Sequence, residues 1–392
     1  MTEREALIHA VCTNPDDDTP RLVFADWLDE NGDAGDRLRA RFIRVQCEMA
    51  RSEEQAPRWR KLYAEERKLL GDLNRRKRLW PERLKGRTFG SAGYERGFLA
   101  QITVFAKRFL EEAFAFYADD PIQTVKFVKL TGKSGSVPAA TLFASTKLAP
   151  LRTLDLSGSG LGEAELAHLA DAPHLGGLRS LVLCENRLTA RALERLVSSQ
   201  ALASLAHLDL TKNPHIGDVE AEAMAARPGF RRIKSLDMFG SAITARGVRA
   251  IAQSPHAAGL EKLRVGSPHF LGVPSVRGLG AVSDAAAIAE AVASSPHLSN
   301  LKELDIAWRQ ISHVGVEALA SSPHLKNLRR LRLAYSQLPL TCVKVVAASP
   351  NFRGLYSLEL GLDLDPDRGV LLTPDEEKDL RAVMPDAAMR FE

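Results

Sequence analysis

Two periodicities of apolar residues alternate along most of the chain. A core of the form L-x-x-L-x-L alternates apolar and other residues as a half-buried strand does. Further apolar residues follow at helical spacing, such as Leu193/Leu196 and Val316/Leu319. A proline often comes next and is expected to end the helix, because it lacks the N–H that the helix needs. Each unit is therefore predicted to run strand, turn, helix and return loop.

The strand core recurs in steady phase, at intervals of 26 to 28 residues apart from one interval of 41. It opens at Leu99, Val125, Leu151, Leu178, Leu205, Ile233, Leu260, Leu301, Leu328 and Leu355. A unit of this size cannot bury its apolar face alone, so neighbouring units must stack. The pattern predicts about ten stacked units over residues 99–364.

Strand cores such as LRTLDL, LRSLVL and LKELDI resemble the leucine-rich-repeat family. The resemblance is to the class with a helix in every unit, to which the ribonuclease inhibitors belong. It implies an α/β solenoid with parallel strands on the concave face and helices on the convex face. The asparagine that follows the strand in this family is present at Asn186 and Asn213 but replaced at Ser159 and Ser241. The asparagine ladder between turns is therefore expected to be incomplete.

Residues 1–98 lie outside the repeat and are predicted to form a small all-α domain. Thr2 and Glu5 make a capping box, Pro20 begins a second helix, and longer helices are expected near 36–52 and 57–78. The segment PDDDTPRLVFADWLDENGD, with FIRVQCEMAR after it, resembles the bacterial repeat-companion domain over residues 1–49. This resemblance implies a bacterial protein and carries no activity with it. Residues 365–392 are expected to form a C-terminal cap or tail.

Composition narrows the class of partner and the compartment. The net charge of +4, from 53 basic and 49 acidic residues, is too small to demand a polyanionic partner. The four cysteines are far apart and show no C-x-x-C spacing, which favours neither a disulfide framework nor a zinc site. No apolar run is long enough for a membrane span, and the N-terminus does not resemble a signal peptide. We expect a cytoplasmic protein with no membrane contact.

No motif for catalysis or for metal binding stands out. The acidic residues from Asp16 to Asp33 lack the ligand spacing of a calcium loop. No serine or cysteine nucleophile motif stands beside a histidine, and no glycine-rich segment completes a phosphate loop. We therefore expect no catalytic residue, no metal site, no cofactor and no enzymatic activity.

A basic run from Asn74 to Arg87 leaves two hypotheses open. It contains Trp80 and a group of adjacent cations, Arg75, Arg76, Lys77 and Arg78. Phosphate neutralisation and base stacking would use such residues to contact nucleic acid. Alternatively, the run is a helix C-terminus whose cations complement the helix dipole.

The concave face carries the candidate partner-binding residues. Side chains between the strand leucines point away from the core, and one such column reads Lys129, Asp155, Val182, Asp209, Asp237, Arg264, Asp305, Arg332 and Glu359. Three aromatic residues, Phe239, Trp308 and Tyr335, lie on or just after strands, and aromatic residues beside arginine are typical of interface hot spots. The binding set predicted from this pattern is Asp155, Asp209, Asp237, Phe239, Arg264, Asp305, Trp308, Arg332, Tyr335 and Glu359. The alternative is a solubilising ladder of acids.

The unit of 41 residues, against a norm of 27, holds 14 extra residues within 266–283, between strand and helix. An insertion at that edge is either a binding loop or a neutral addition. The leading hypothesis is a non-catalytic protein–protein interaction scaffold that binds another protein on the concave face. The alternative is a regulatory or nucleic-acid-associated adaptor that contacts its target through residues 74–87.

Overall fold

The computed structural model describes residues 1–52, 57–75, 93–128, 130, 137–266, 284–307, 311–338, 341–362, 378 and 388–391. For residues 334–338, 341, 343, 361–362 and 388–391 it describes the backbone alone. The chain folds as two compact units, Met1–Ser159 and Gly160–Glu392. Among the helices of these ranges, none has the length and apolar character needed to cross a bilayer.

The first unit begins with four helices, as predicted. They are α1 (Glu3–Thr13), α2 (Thr19–Asn31), α3 (Ala34–Arg51) and α4 (Pro57–Arg75). The capping box at α1 is confirmed, because the Thr2 hydroxyl accepts from the Glu5 N–H and the Glu5 carboxylate accepts from the Thr2 N–H. The Asp33 carboxylate caps α3 in the same way. The sequence signals for helix starts therefore act locally, through side chains that satisfy free backbone N–H groups.

A hairpin joins these helices to the sheet of the first unit. Strands β1 (Gly93–Glu95) and β2 (Phe98–Val104) are antiparallel, and both turn residues, Arg96 and Gly97, have positive φ. That is the two-residue turn that suits the twist of a hairpin. A Cβ at Gly97 would lie 2.2 Å from Ile43 of α3, so the close approach of helix and turn requires glycine. Phe98 is buried with Phe24 in one apolar cluster, so the helices share a core with the first strands.

Strands β2, β3 (Thr124–Phe127) and β4 (Thr153–Asp155) are parallel, with helices α5 (Ala106–Tyr117) and α6 (Ala139–Phe143) between them. The predicted frame of β3 was wrong by three residues. Val125 pairs with Leu154, which is the second leucine of the core LRTLDL. The core of β3 is therefore IQTVKF, and it opens at Ile122. The overlapping segment VKFVKL also fits the repeat core, and spacing alone could not choose between the two. The outward charge of this unit is consequently Lys126, beside Asp155, whereas the predicted Lys129 lies outside the described residues.

The second unit repeats one strand and one helix. Its strands are β5 (Ser180–Val182), β6 (His207–Asp209), β7 (Ser235–Asp237), β8 (Lys262–Arg264), β9 (Glu303–Asp305), β10 (Arg330–Leu338), β11 (Ser357–Leu362) and β12 (Ala388–Phe391). Its helices are α7 (Glu163–Ala170), α8 (Ala190–Ser198), α9 (Asp218–Ala225), α10 (Ala245–Gln253), α11 (Asp284–Ala293), α12 (His313–Ala320) and α13 (Thr341–Ala348). The strands pair in parallel and in chain order, and the predicted α/β repeat architecture is confirmed.

The pairing keeps equivalent leucines level from β5 to β11. Leu208 pairs with Leu181 on one side and Leu236 on the other, and these side chains are at most 2% exposed. One repeat thus supplies the apolar cover for the next. Beyond residue 364, β12 continues the parallel pairing by aligning Met389 with Leu358. The division of the chain at 98 and at 364 stays a prediction.

The asparagine ladder is short. Asn213 is 1% exposed, and its amide donates to the carbonyls of Leu183 (2.9 Å) and Leu210 (2.8 Å) while its oxygen accepts from the Asn186 N–H (2.7 Å). Serine takes this position in the next repeat, at Ser241. The stacking therefore needs another polar tie between repeats.

A ladder of buried serines supplies that tie, which the repeat pattern did not predict. Each serine lies just after a repeat's helix, and its hydroxyl donates to a carbonyl at the end of the preceding repeat's helix. The pairs are Ser199–Ala170, Ser254–Ala225, Ser295–Ala252, Ser322–Ala293 and Ser349–Ala320. The same hydroxyl of Ser322 accepts from the His324 N–H. The recurring Ser-Pro was visible in the sequence but was interpreted only as a helix stop.

Replacing Ser322 by alanine should destabilise the chain by about 1 to 2 kcal/mol, because a buried carbonyl and a partly buried N–H lose their partner. Ser321→Ala is the matched control. Ser321 is the adjacent residue, is exposed, and donates to the Glu317 carbonyl within its own helix. The control should change stability by less than about 0.5 kcal/mol. Urea unfolding of both variants measures the difference, and equal unfolding midpoints would show that the serine ladder does not stabilise the stacking.

Candidate interaction surface on the strand face

The outward side chains of the second unit form a row with one residue from each strand. The sheet surface that carries this row is the strand face. The row runs Val182, Asp209, Asp237, Arg264, Asp305, Arg332 and Glu359. It contains the charged residues predicted for β6 to β11, in the predicted order. Asp155 has the equivalent place in the first unit, where Lys126 lies 3.2 Å away.

From β7 to β11 the charges of this row alternate and pair across the strands. Arg264 lies 3.0 Å from Asp237 and 2.8 Å from Asp305. Arg332 lies 3.4 Å from Asp305 and 2.6 Å from Glu359. Each carboxylate in this stretch therefore already has an arginine partner within the sheet.

Two further ladders of charged residues run across neighbouring repeats, one on the strands and one on the residues just before them. They are Lys262–Glu303–Arg330, with separations of 2.8 and 3.1 Å, and Lys234–Glu261–Lys302, with separations of 3.4 and 2.8 Å. With the row above, six cations face five anions. The face from β7 to β11 is therefore close to neutral over short distances, although nearly every side chain on it is charged.

The pKa directions reflect this pairing. Burial lowers the pKa of the Arg264 guanidinium, but Asp237 and Asp305 outweigh burial and raise it. Burial raises the pKa of Asp237, and the nearby carboxylate of Asp209 raises it further, against the opposite effect of Arg264. The raised pKa of Asp237 shows that Arg264 does not fully offset its burial and the charge of Asp209.

Asp209 differs from the other acids of the row. Its carboxylate accepts from the Thr211 N–H at 2.8 Å, and among the described residues it has no cation within ion-pair distance. Burial, together with the charges of Lys262 and Lys234, lowers the pKa of His207 on the same strand. His207 is therefore neutral at neutral pH and does not balance the charge of Asp209.

Phe239 lies just after β7 and is only partly buried. The Arg264 guanidinium stands over its ring, 4.3 Å from the ring centroid. A Cβ at Gly266 would lie 2.8 Å from the ring edge, so this glycine leaves room for the ring. The sequence predicted Phe239 as a candidate but gave no reason to single out Gly266.

The remaining predicted binding residues have no described side chains. Trp308 lies outside the described residues, and of Tyr335 only the backbone, within β10, is described. The insertion is described only at Gly266. In the basic run, Arg75 pairs with Asp72, while Arg76, Lys77 and Arg78 lie outside the described residues. A binding role for each of these residues stays a prediction.

Within the described ranges, no group of three or more His, Cys, Asp or Glu residues is arranged to hold a metal ion. None of the four cysteines forms a disulfide. Burial raises the pKa of Cys47 to about 12 and that of Cys342 to about 11. Neither thiol is therefore ionised at neutral pH, and the thiolate is the form that acts as a nucleophile.

A family model for the leucine-rich repeat matches residues 297–320, which run from the 3-10 turn before β9 to the end of α12. The same strand, turn and helix recur along the second unit with level leucines. The chain is a leucine-rich-repeat protein. No curated protein is significantly similar to it in sequence.

Two solved structures resemble this leucine-rich-repeat protein at low identity. An internalin of Listeria monocytogenes is 16% identical, with 74% of this chain and 72% of that chain covered and a TM-score of 0.40. A Bacteroides fragilis protein is 15% identical, with 69% and 77% covered and a TM-score of 0.41. Because both TM-scores are below 0.5, family membership rests on the repeat and its sequence match.

The ion pairs of Asp305 should stabilise the stacked strands. Asp305→Asn keeps the acceptor for the Ala307 N–H (2.9 Å) but removes the charge that two arginines share. Because these side chains are partly exposed, we expect a loss of about 1 to 2 kcal/mol, between the values typical of surface and buried pairs. Urea unfolding at low salt measures the loss.

Asp209→Asn is the matched control, since it keeps the acceptor for the Thr211 N–H and breaks no ion pair among the described residues. Its stability should stay within about 0.5 kcal/mol of the parent chain. If both variants lose the same stability, the ladder contributes nothing to the stacking.

Proposed function

We propose that this leucine-rich-repeat protein is a non-catalytic scaffold that binds a partner protein on the strand face of its second unit. The observation that carries the proposal is the position of Phe239. Its ring lies on the polar side of the sheet, partly exposed, with Arg264 over it and Gly266 beside it. An aromatic ring next to an arginine is the composition that concentrates affinity at protein interfaces.

The ionic ladders support the proposal by fixing the surroundings of that ring. Arg264 is held by two carboxylates, so its guanidinium has little freedom left to lose when a partner binds. Side chains that are already ordered lower the entropic cost of association. Repeat arrays of this kind present extended binding surfaces of neighbouring strands.

The other sequence predictions belong to the same proposal. Trp308, Tyr335 and the 266–283 insertion would extend the interface from the ladder toward one edge of the strand face. Residues 1–98, with their resemblance to the bacterial repeat-companion domain, would form the helical start of the array, and residues 365–392 would form its cap. A cytoplasmic location agrees with four cysteines that form no disulfide. Nucleic-acid contact through residues 74–87 stays the alternative, and no observation on the described residues favours it.

Site-specific photo-crosslinking tests the proposal. A photoreactive benzoylphenylalanine in place of Phe239 should form covalent adducts with a partner protein in cells that express the chain, because it preserves the ring and reacts only with groups in contact. The matched control carries the same residue in place of Phe114, which is 81% exposed and lies in the first unit. Mass spectrometry identifies the adducts.

We expect the same partner to be captured reproducibly from position 239 and not from position 114. Adducts from position 114 alone, or from neither position while both variants melt like the parent chain, would contradict binding on the strand face.

A further inference from the structure

We propose that Asp209 receives a lysine or arginine side chain of the partner protein, next to an apolar side chain of that partner seated against Val182 and Phe239. This inference rests on the proposed function and names the chemistry that the strand face recognises. It assigns recognition of the partner to β5, β6 and the end of β7, and not to the strands whose charges pair with each other.

The contrast between Asp209 and the other acids of the row carries the inference. Asp237, Asp305 and Glu359 each lie within 3.0 Å of an arginine nitrogen. A cation brought by a partner would have to compete with that arginine, and the exchange of one pair for another gains little. At Asp209 no pair among the described residues has to be broken.

The local charge also favours a cation. Asp209 and Asp237 are level on adjacent strands. Of the described cations, Arg264 is the one paired with Asp237, and it is shared with Asp305. Among the described residues, this shared guanidinium is therefore the one cation paired with either carboxylate, which leaves this end of the row short of positive charge. An anionic ligand would be repelled here, whereas a partner cation would be attracted to both acids.

Three uncharged side chains complete the surroundings of Asp209. Backbone bonds from Leu183 N–H to the Asp209 carbonyl (2.8 Å) and from Lys212 N–H to the Phe239 carbonyl (2.8 Å) keep the strand ends level. Val182, Thr211 and Phe239 therefore lie around the carboxylate, each partly exposed. A partner residue pair with one cationic and one apolar side chain matches this arrangement, because it meets the charge and also buries apolar area.

Selection from a random peptide library displayed on phage tests the inference on the full chain. Peptides enriched at low salt are resynthesised, and their affinities are measured by fluorescence polarisation. The variants are Asp209→Asn, Phe239→Ser and Glu290→Gln. Glu290 is exposed on α11, so its variant makes the same change in net charge away from the patch. Thermal melting confirms that every variant is folded.

We expect the enriched peptides to share a lysine or arginine within three residues of a large apolar residue. Asp209→Asn should weaken their binding at least about tenfold, the loss of one charge-assisted contact worth about 1.4 kcal/mol. Phe239→Ser should weaken binding as well. Glu290→Gln should keep the affinity within about twofold of the parent chain, because this charge lies away from the patch.

The other outcomes separate the inference from the proposed function. Peptides that lose binding with Phe239→Ser but not with Asp209→Asn would overturn the role of Asp209 and leave binding on the strand face intact. Peptides without a shared cation would overturn the predicted partner chemistry. If no peptide is enriched, or if neither Asp209→Asn nor Phe239→Ser changes the affinity, the inference and the proposed function both fail.

Discussion

Stacking of half-covered repeats is the constraint on which the rest of this molecule depends. A single strand and helix leave their leucines open on one side, and the next unit covers them only if its strand pairs in register. The level row of Leu181, Leu208 and Leu236 shows that register in the second unit. The same register places the outward residues in rows in which neighbouring residues are about 4.8 Å apart. Charges at that spacing must alternate or repel each other, and from β7 to β11 they alternate.

The sequence was sufficient to predict the second unit because its period is regular and its apolar spacing differs between strand and helix. Where two frames overlap, as at Val125, spacing alone could not decide, and the structure shows Ile122 as the opening residue of that core. The serine ladder was equally periodic. Each serine acts through a carbonyl of the preceding repeat, which becomes its neighbour only after stacking. For Ser322 that carbonyl lies 29 residues earlier in the chain.

The candidate site was predicted in part. The row of acids and arginines and the position of Phe239 followed from the repeat pattern. What the sequence could not show is which charges neutralise each other, since that depends on side-chain distances across strands. The structure divides the row into a paired stretch around Asp305 and an end at Asp209 with no ion pair among the described residues. We expect the paired stretch to stabilise the stacking, and the open end is where we place recognition of a partner.

Carboxylate labelling with a water-soluble carbodiimide and an amine tests most directly whether Asp209 is the open acid of the row. The reagent modifies carboxylates that are accessible and free of an ion-pair partner, and peptide mass spectrometry resolves the rate at each position. In the folded chain, Asp209 should be modified at least about tenfold faster than Asp305, as expected if the paired acid must first lose about 1.4 kcal/mol of interaction with its arginines. In urea the two rates should converge. Equal rates in the folded chain would contradict the division of the strand face into paired and open parts.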